Sequence, residues 1–180
     1  MNEIKHVILP ITGMTCANCA SAVERNLKKE KSVQNASVNL SNERAMVEYD
    51  NSGLSIRDLI TRVEKAGYGV ATGEIDLYAK HIDGANESTR IEKKLSTLDG
   101  VLDSKVNIST DRIKIKFVPT ITGVNDIKKV ISDLGVELID GNDYSVDVEA
   151  EARNSEIRSQ KKFLIIGLIF SIPLFALSMA

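Results

Sequence analysis

Gly13-Met14-Thr15-Cys16-Ala17-Asn18-Cys19 holds both cysteines of the chain and joins two stretches of different period. Before it, residues 5–12 alternate as a strand does. After it, from about Ala17 to Lys29, apolar residues recur at helical spacing. Two more alternating stretches follow, Val33–Leu40 and Glu43–Tyr49, and Leu40-Ser41-Asn42-Glu43 reads as the hairpin turn between them. A second helix is expected from about Ser55 to Ala66, with Ser55 and Asp58 at capping-box spacing and Gly67 as its stop. A last short strand starts near Gly69.

The resulting order, βαββαβ, is the ferredoxin-like arrangement: an antiparallel four-stranded sheet with both helices on one face. The order occurs twice. A shift of 68 positions, without a gap, lays Val23-Glu24-Arg25-Asn26-Leu27 on Ile91-Glu92-Lys93-Lys94-Leu95 and Val38-Asn39 on Val106-Asn107. It also lays Arg44–Tyr49 on Arg112–Phe117 and Ala66-Gly67-Tyr68 on Leu134-Gly135-Val136. The fold class is therefore α+β, with modules at residues 1–73 and 74–140. The join near Gly73 is short enough to hold them close. The copies differ where chemistry is expected: Cys16-Ala17-Asn18-Cys19 faces Gly84-Ala85-Asn86-Glu87, Met14 faces Ile82 and Tyr68 faces Val136. Only the first copy is expected to bind metal tightly.

Composition narrows the classes. The chain has 180 residues, 43% hydrophobic and 27% charged, which suits globular domains. A net charge of −2 with scattered basic residues, no Trp and few aromatics gives neither a positive stripe nor a stacking platform, so nucleic acid is not an expected partner. Met1 to Lys5 lacks the features of a secretory signal, which places both thiols in the cytosol and makes a structural disulfide the weaker reading. Residues 141–162 read as an acidic and charged linker with a helix from Glu149 to Lys162. Residues 163–180 carry no charge and read as a membrane helix that stops with the chain. Pro173 is tolerated in such a span. Arg158, Lys161 and Lys162 just before it keep residues 1–162 on the cytoplasmic side of the membrane.

Two thiolates three residues apart on a strand-to-helix loop converge on one ion, and with no other donor nearby they suit a soft cation of low coordination number. Cu(I) fits best. Zn(II) would want imidazole or oxygen donors beside the sulfurs, and the loop has none. Cys19 falls in the first turn of the helix, where unpaired N–H groups favour a thiolate and offset the negative charge of a dithiolate–Cu(I) unit. The same spacing also serves thiol–disulfide exchange, which stays open as a third reading.

Ile11-Thr12-Gly13-Met14-Thr15-Cys16-Ala17-Asn18-Cys19-Ala20 resembles the signature of heavy-metal-associated domains, and residues 158–180 resemble the approach to the first membrane helix of copper-translocating P-type ATPases. The resemblance implies Cu(I), or Ag(I) as a mimic, on Cys16 and Cys19. It implies further that Met14 packs under the loop, that Thr15 supports it and that Tyr68 flanks the site. It also implies stepwise thiol exchange with a soluble copper metallochaperone. The chain lacks the intramembrane Cys-Pro-Cys, the phosphorylation loop and a nucleotide-binding segment, so no catalytic residue is assigned, and ATP and Mg belong at most to a longer parent. The leading expectation is the cytosolic copper-binding region of a copper-exporting pump, accepting or sensing copper. The alternative is a free-standing membrane-tethered copper chaperone.

The remaining candidates read plainly. His6 and His81 are expected at exposed or strand-end positions, and Glu87 alone would hold a soft metal poorly. Met46 alternates with apolar neighbours and reads as a core residue. Arg25, Lys28, Lys29 and Lys31 offer positive charge near the first helix, as a solvated face or for an acidic partner.

Overall fold

The computed structural model describes residues 4–139, and the expected linker and membrane helix lie outside that range. The first module runs β1 (Ile4–Thr12), α1 (Ala17–Leu27), β2 (Val33–Asn39), β3 (Arg44–Asp50), α2 (Ile56–Lys65) and β4 (Gly69–Val70). The second runs β5 (Gly73–Ala79), α3 (Gly84–Ser96), β6 (Val101–Asn107), a 3₁₀ turn at Ile108–Thr110, β7 (Arg112–Phe117), α4 (Val124–Asp133) and β8 (Leu138–Ile139). Each module has one four-stranded sheet, ordered β2-β3-β1-β4 and β6-β7-β5-β8, with antiparallel pairing throughout. Among the described residues no helix is long and apolar enough to cross a membrane.

Period decides what each element buries. Val7, Leu9 and Ile11 of β1 and Ala45, Val47 and Tyr49 of β3 share one sheet face. They pack under Ala20, Val23 and Leu27 of α1 and Leu59 and Val63 of α2. The second core repeats this with Ile75 and Ala79, Ile113, Ile115 and Phe117, Ile91 and Leu95, and Ile127 and Ile131. Met46 departs from expectation: it is 55% exposed and pairs with Ile8 on the outer sheet face. The period of 2 on β3 is set by Ala45, Val47 and Tyr49, and a residue between them must point away from the core.

The repeat extends to details that bare periodicity does not reveal. Glu24 accepts the backbone N–H of Val38 and Glu92 that of Val106, so one buried-edge contact recurs at the same offset. The hairpin turns carry the only non-glycine residues with positive φ among those described, Glu43 at 53° and Asp111 at 48°. In the first turn Asn39 and Asn42 accept the N–H groups of Ser41 and Arg44, which fixes the reversal locally.

The capping box on α2 is complete. The Ser55 hydroxyl accepts the Asp58 N–H, and the Asp58 carboxylate accepts the Ser55 N–H at 2.9 Å and its hydroxyl at 2.6 Å. Those bonds from Ser55 hold the Asp58 carboxyl below the usual carboxylate range. A group lowered in the folded state stabilises above its unfolded pKa, roughly 4, and loses that contribution as pH falls through the folded value. Ser55→Ala is expected to cost about 1 kcal/mol in urea unfolding at pH 7. The gap between the unsubstituted protein and Asp58→Asn should shrink as the pH of the melt is taken below about 4, and a gap that stays constant to pH 2 would refute the assignment.

Candidate metal centre

Thr12 ends β1, and the chain must enter α1 five residues later. Gly13 makes the turn at φ +86°, where a side chain would be strained. Met14 then drops into the core at 5% exposure while Thr15 and Cys16 face outward. Cys16 is the N-cap residue of α1, extended at φ −151° and ψ 160°. Its sulfur accepts the backbone N–H of Cys19 at 3.2 Å, and its carbonyl accepts the N–H groups of Cys19 at 3.0 Å and Ala20 at 3.3 Å. A thiol here does what Ser or Asp does at an ordinary N-cap.

Cys19, half-buried one turn into α1, has its sulfur 3.9 Å from the Thr15 hydroxyl. The Cα atoms of Cys16 and Cys19 are 5.2 Å apart, and the two sulfurs are joined as a disulfide. The sequence points to reduced thiols; the oxidised pairing follows from the same convergence, because this Cα spacing lies in the range that lets two cysteine sulfurs meet. The first turn of α1 has no acidic residue. Among the described residues no group of three or more His, Cys, Asp or Glu gathers to hold a metal ion. The reduced pair therefore offers two sulfur donors on an exposed loop at the positive end of a helix, an environment that favours negative charge.

Tyr68 reaches the loop from the other side. Gly67, at φ +89°, ends α2, and the Tyr68 N–H bonds back to the Val63 carbonyl at 3.3 Å. Its ring then lies against Gly13, 3.9 Å from where a Cβ there would sit. Gly69 allows this approach: a Cβ on it would come within 2.5 Å of the Thr12 hydroxyl, so β4 pairs closely with β1 only without a side chain. Cys16, Cys19, Met14, Thr15 and Tyr68 are thus brought together around one loop.

The matching loop of the second module is built differently. Ile82 is buried like Met14, but α3 starts one position earlier, at Gly84. Glu87, at the position of Cys19, turns back so that its carboxylate accepts the Asp83 N–H at 2.5 Å. Asp111 accepts the Ile82 N–H at 3.0 Å, and His81 pairs with Asp83 at 2.9 Å. Glu87 is engaged in closing the helix start. His6 lies on the outer sheet face beside Glu48, at 3.4 Å.

The heavy-metal-associated domain family matches this chain twice, over residues 8–69 and 77–137. A copper-exporting P-type ATPase of Bacillus subtilis (strain 168) is 33% identical over 175 residues, which are 97% of this chain and 21% of that protein. The protein of the same description from Staphylococcus aureus (strain Newman) is 35% identical over 179 residues, 98% of this chain and 22% of that one. The chain thus spans about a fifth of the length of these relatives. Among solved structures, the water-soluble region of P-type ATPase CopA from Bacillus subtilis is similar with a TM-score of 0.57 at 31% identity, covering 81% of this chain and 97% of that chain. The N-terminal soluble domains of Bacillus subtilis CopA give 0.52 at 32% identity, covering 77% and 94%.

Cys16 is the more exposed sulfur and the one that accepts the helix N–H. After reduction, iodoacetamide is therefore expected to modify Cys16 about tenfold faster than Cys19 near neutral pH, read by peptide mass spectrometry. Faster modification of Cys19 would contradict the capping role of the Cys16 sulfur.

Proposed function

Because this chain belongs to the heavy-metal-associated domain family and carries two copies of its fold, we propose that it is the cytosolic Cu(I)-binding N-terminal region of a copper-exporting P-type ATPase. It accepts or senses copper for transport. The observation that carries the reading is the convergence of Cys16 and Cys19 at the start of α1, with no group of three or more His, Cys, Asp or Glu among the described residues. Likeness to copper-exporting ATPases along 97% of the chain supports it.

Cu(I) is cargo in this reading. Reduced Cys16 and Cys19 hold it as a two-sulfur complex, and Ag(I), equally soft, would occupy the same pair. The amide of Cys19 and the start of α1 offset the negative charge of the complex. Met14 sets the loop from below and Tyr68 shields one side. Cys16, the outer sulfur, is the first to be displaced or attacked when a thiolate of a soluble copper metallochaperone enters, and Cys19 follows. Each step exchanges one sulfur–metal bond for another and leaves the oxidation state of copper unchanged. In the same reading residues 163–180 enter the membrane and residues 1–162 stay in the cytoplasm, while ATP and Mg act in the rest of the pump.

Anaerobic titration of the reduced protein against a chromophoric Cu(I) chelator is expected to give one equivalent of tightly bound copper. Cys16→Ser and Cys19→Ser should each lower affinity by more than the roughly 100-fold that loss of an outer-shell partner costs. Glu87→Ala should leave stoichiometry and affinity unchanged. Two equivalents, or four sulfur and nitrogen neighbours by X-ray absorption, would refute the two-sulfur site.

A further inference from the structure

The first module is not closed by its own residues. β4 pairs with β1 only at Ile11 and Thr12, with one further bond from the Ala71 N–H to the Pro10 carbonyl. The edge of β1 that faces away from β3 is therefore left without a strand partner over its first half. The segment after β7 covers it: the Thr120 hydroxyl donates to the Ile8 carbonyl at 2.5 Å, and Val118, 0% exposed, belongs to the core of the first module. Leu102 and Ile121 pack against that same core. Around this seam Lys5 pairs with Asp99, and the Arg57 guanidinium donates to the Leu102 carbonyl. Tyr49, buried beside it, has its phenol pushed up by burial and then by Asp99, against the opposing effect of Lys5.

The two copies differ at these positions in a directed way. Under the shift of 68, Leu102, Val118 and Ile121 correspond to Gln34, Asp50 and Gly53. Three polar or side-chain-free positions in the first copy are apolar in the second, and all three meet the first module's core. The docking segment is also held in shape by its own module. The Val118 N–H bonds to the Gly100 carbonyl at 2.8 Å, and the Thr122 hydroxyl donates to the Asp99 carbonyl. Gly100 packs so tightly that a Cβ would come within 2.9 Å of Ile121.

We propose that the Cys-free module is a structural brace for the metal-binding one: it completes the first module's core and sheet edge, so that the two fold and open as one unit. The contact lies at the end of each module away from its strand-to-helix loop. Arg57 is at the start of α2 and Tyr68 follows its end, about 15 Å apart along the helix. Asp99 follows the C-terminal end of α3, about 20 Å from the Gly84 end. Docking therefore leaves the Cys16–Cys19 loop open to a partner, and loss of the thiols from the second copy leaves the seam intact.

Hydrogen exchange read by mass spectrometry on the full chain, reduced and without copper, tests this apart from any reading of the metal site. Val118→Asp places a charge in the seam. The amides of β1 and of residues 49–56 should then exchange about tenfold faster or more, although the substitution lies in the other module. Arg57→Ala, a milder change on the first module, should speed exchange at the start of β6. If Val118→Asp unfolds the second module while β1 keeps its full protection, the modules are independent and the proposal is overturned. Two separate denaturant transitions in the unsubstituted protein would overturn it equally.

Discussion

The N–H groups at the start of the first helix in each module have no partner within the helix and must find an acceptor, and the residue that supplies it decides what the loop can do. In the first module the acceptor is the sulfur of Cys16. It sits on an exposed loop because Gly13 turns the chain and Met14 is drawn into the core. In the second module the carboxylate of Glu87 folds back onto the Asp83 N–H, and Asp111 takes the Ile82 N–H. A carboxylate committed in this way closes the helix start. A sulfur in the capping position closes it and, once the disulfide is reduced, is available at the surface. The chemical difference between the copies is thus a difference in how one shared backbone constraint is met.

The alternation of β1 and β3, the helical period of α1 and the capping pair Ser55 and Asp58 were all legible in the chain, because each is a local pattern with a single physical solution. The gapless repeat raised those patterns to a fold, since a second copy with the same spacing leaves little room for another topology. Met46 was misread because Ala45, Met46 and Val47 are all apolar, and only the register against β1 tells which parity faces the core. That Cys16 and Cys19 would converge was legible in their spacing on the strand-to-helix loop. The capping role of the Cys16 sulfur was not, because Ser, Thr, Asp and Asn are the residues that ordinarily mark an N-cap and a cysteine there reads only as a ligand. The oxidised pairing of the two cysteines was not legible either, since one spacing serves both redox states.

The seam between the modules was hidden for a different reason. Val118 and Ile121 follow the end of β7, where apolar residues read naturally as more of the strand's own core. Only comparison with Asp50 and Gly53, which do the same backbone work with a polar or absent side chain, reveals a surplus of apolar surface. Asp50 binds the Ser52 N–H at 2.9 Å and its hydroxyl at 2.7 Å, forming a turn that needs no neighbour. The second copy replaces that self-sufficient turn with one whose side chains require a second body.

β1 carries both roles at once. Its first half contributes Lys5 and the Ile8 carbonyl to the seam, and its last residue leads into the turn that places Met14 and Cys16. Along the strand Lys5 lies about 23 Å and Ile8 about 13 Å before Thr12, so the two tasks fall at separate points of it. That separation keeps the Cys16–Cys19 loop clear of the seam. In the proposed reading ion binding uses the loop at one end and the brace uses the turn at the other, and the apolar alternation between them serves both. A substitution in the shared interior, such as Leu9 or Val47, would by contrast reach the seam and the loop together, because both are held by the same packed core.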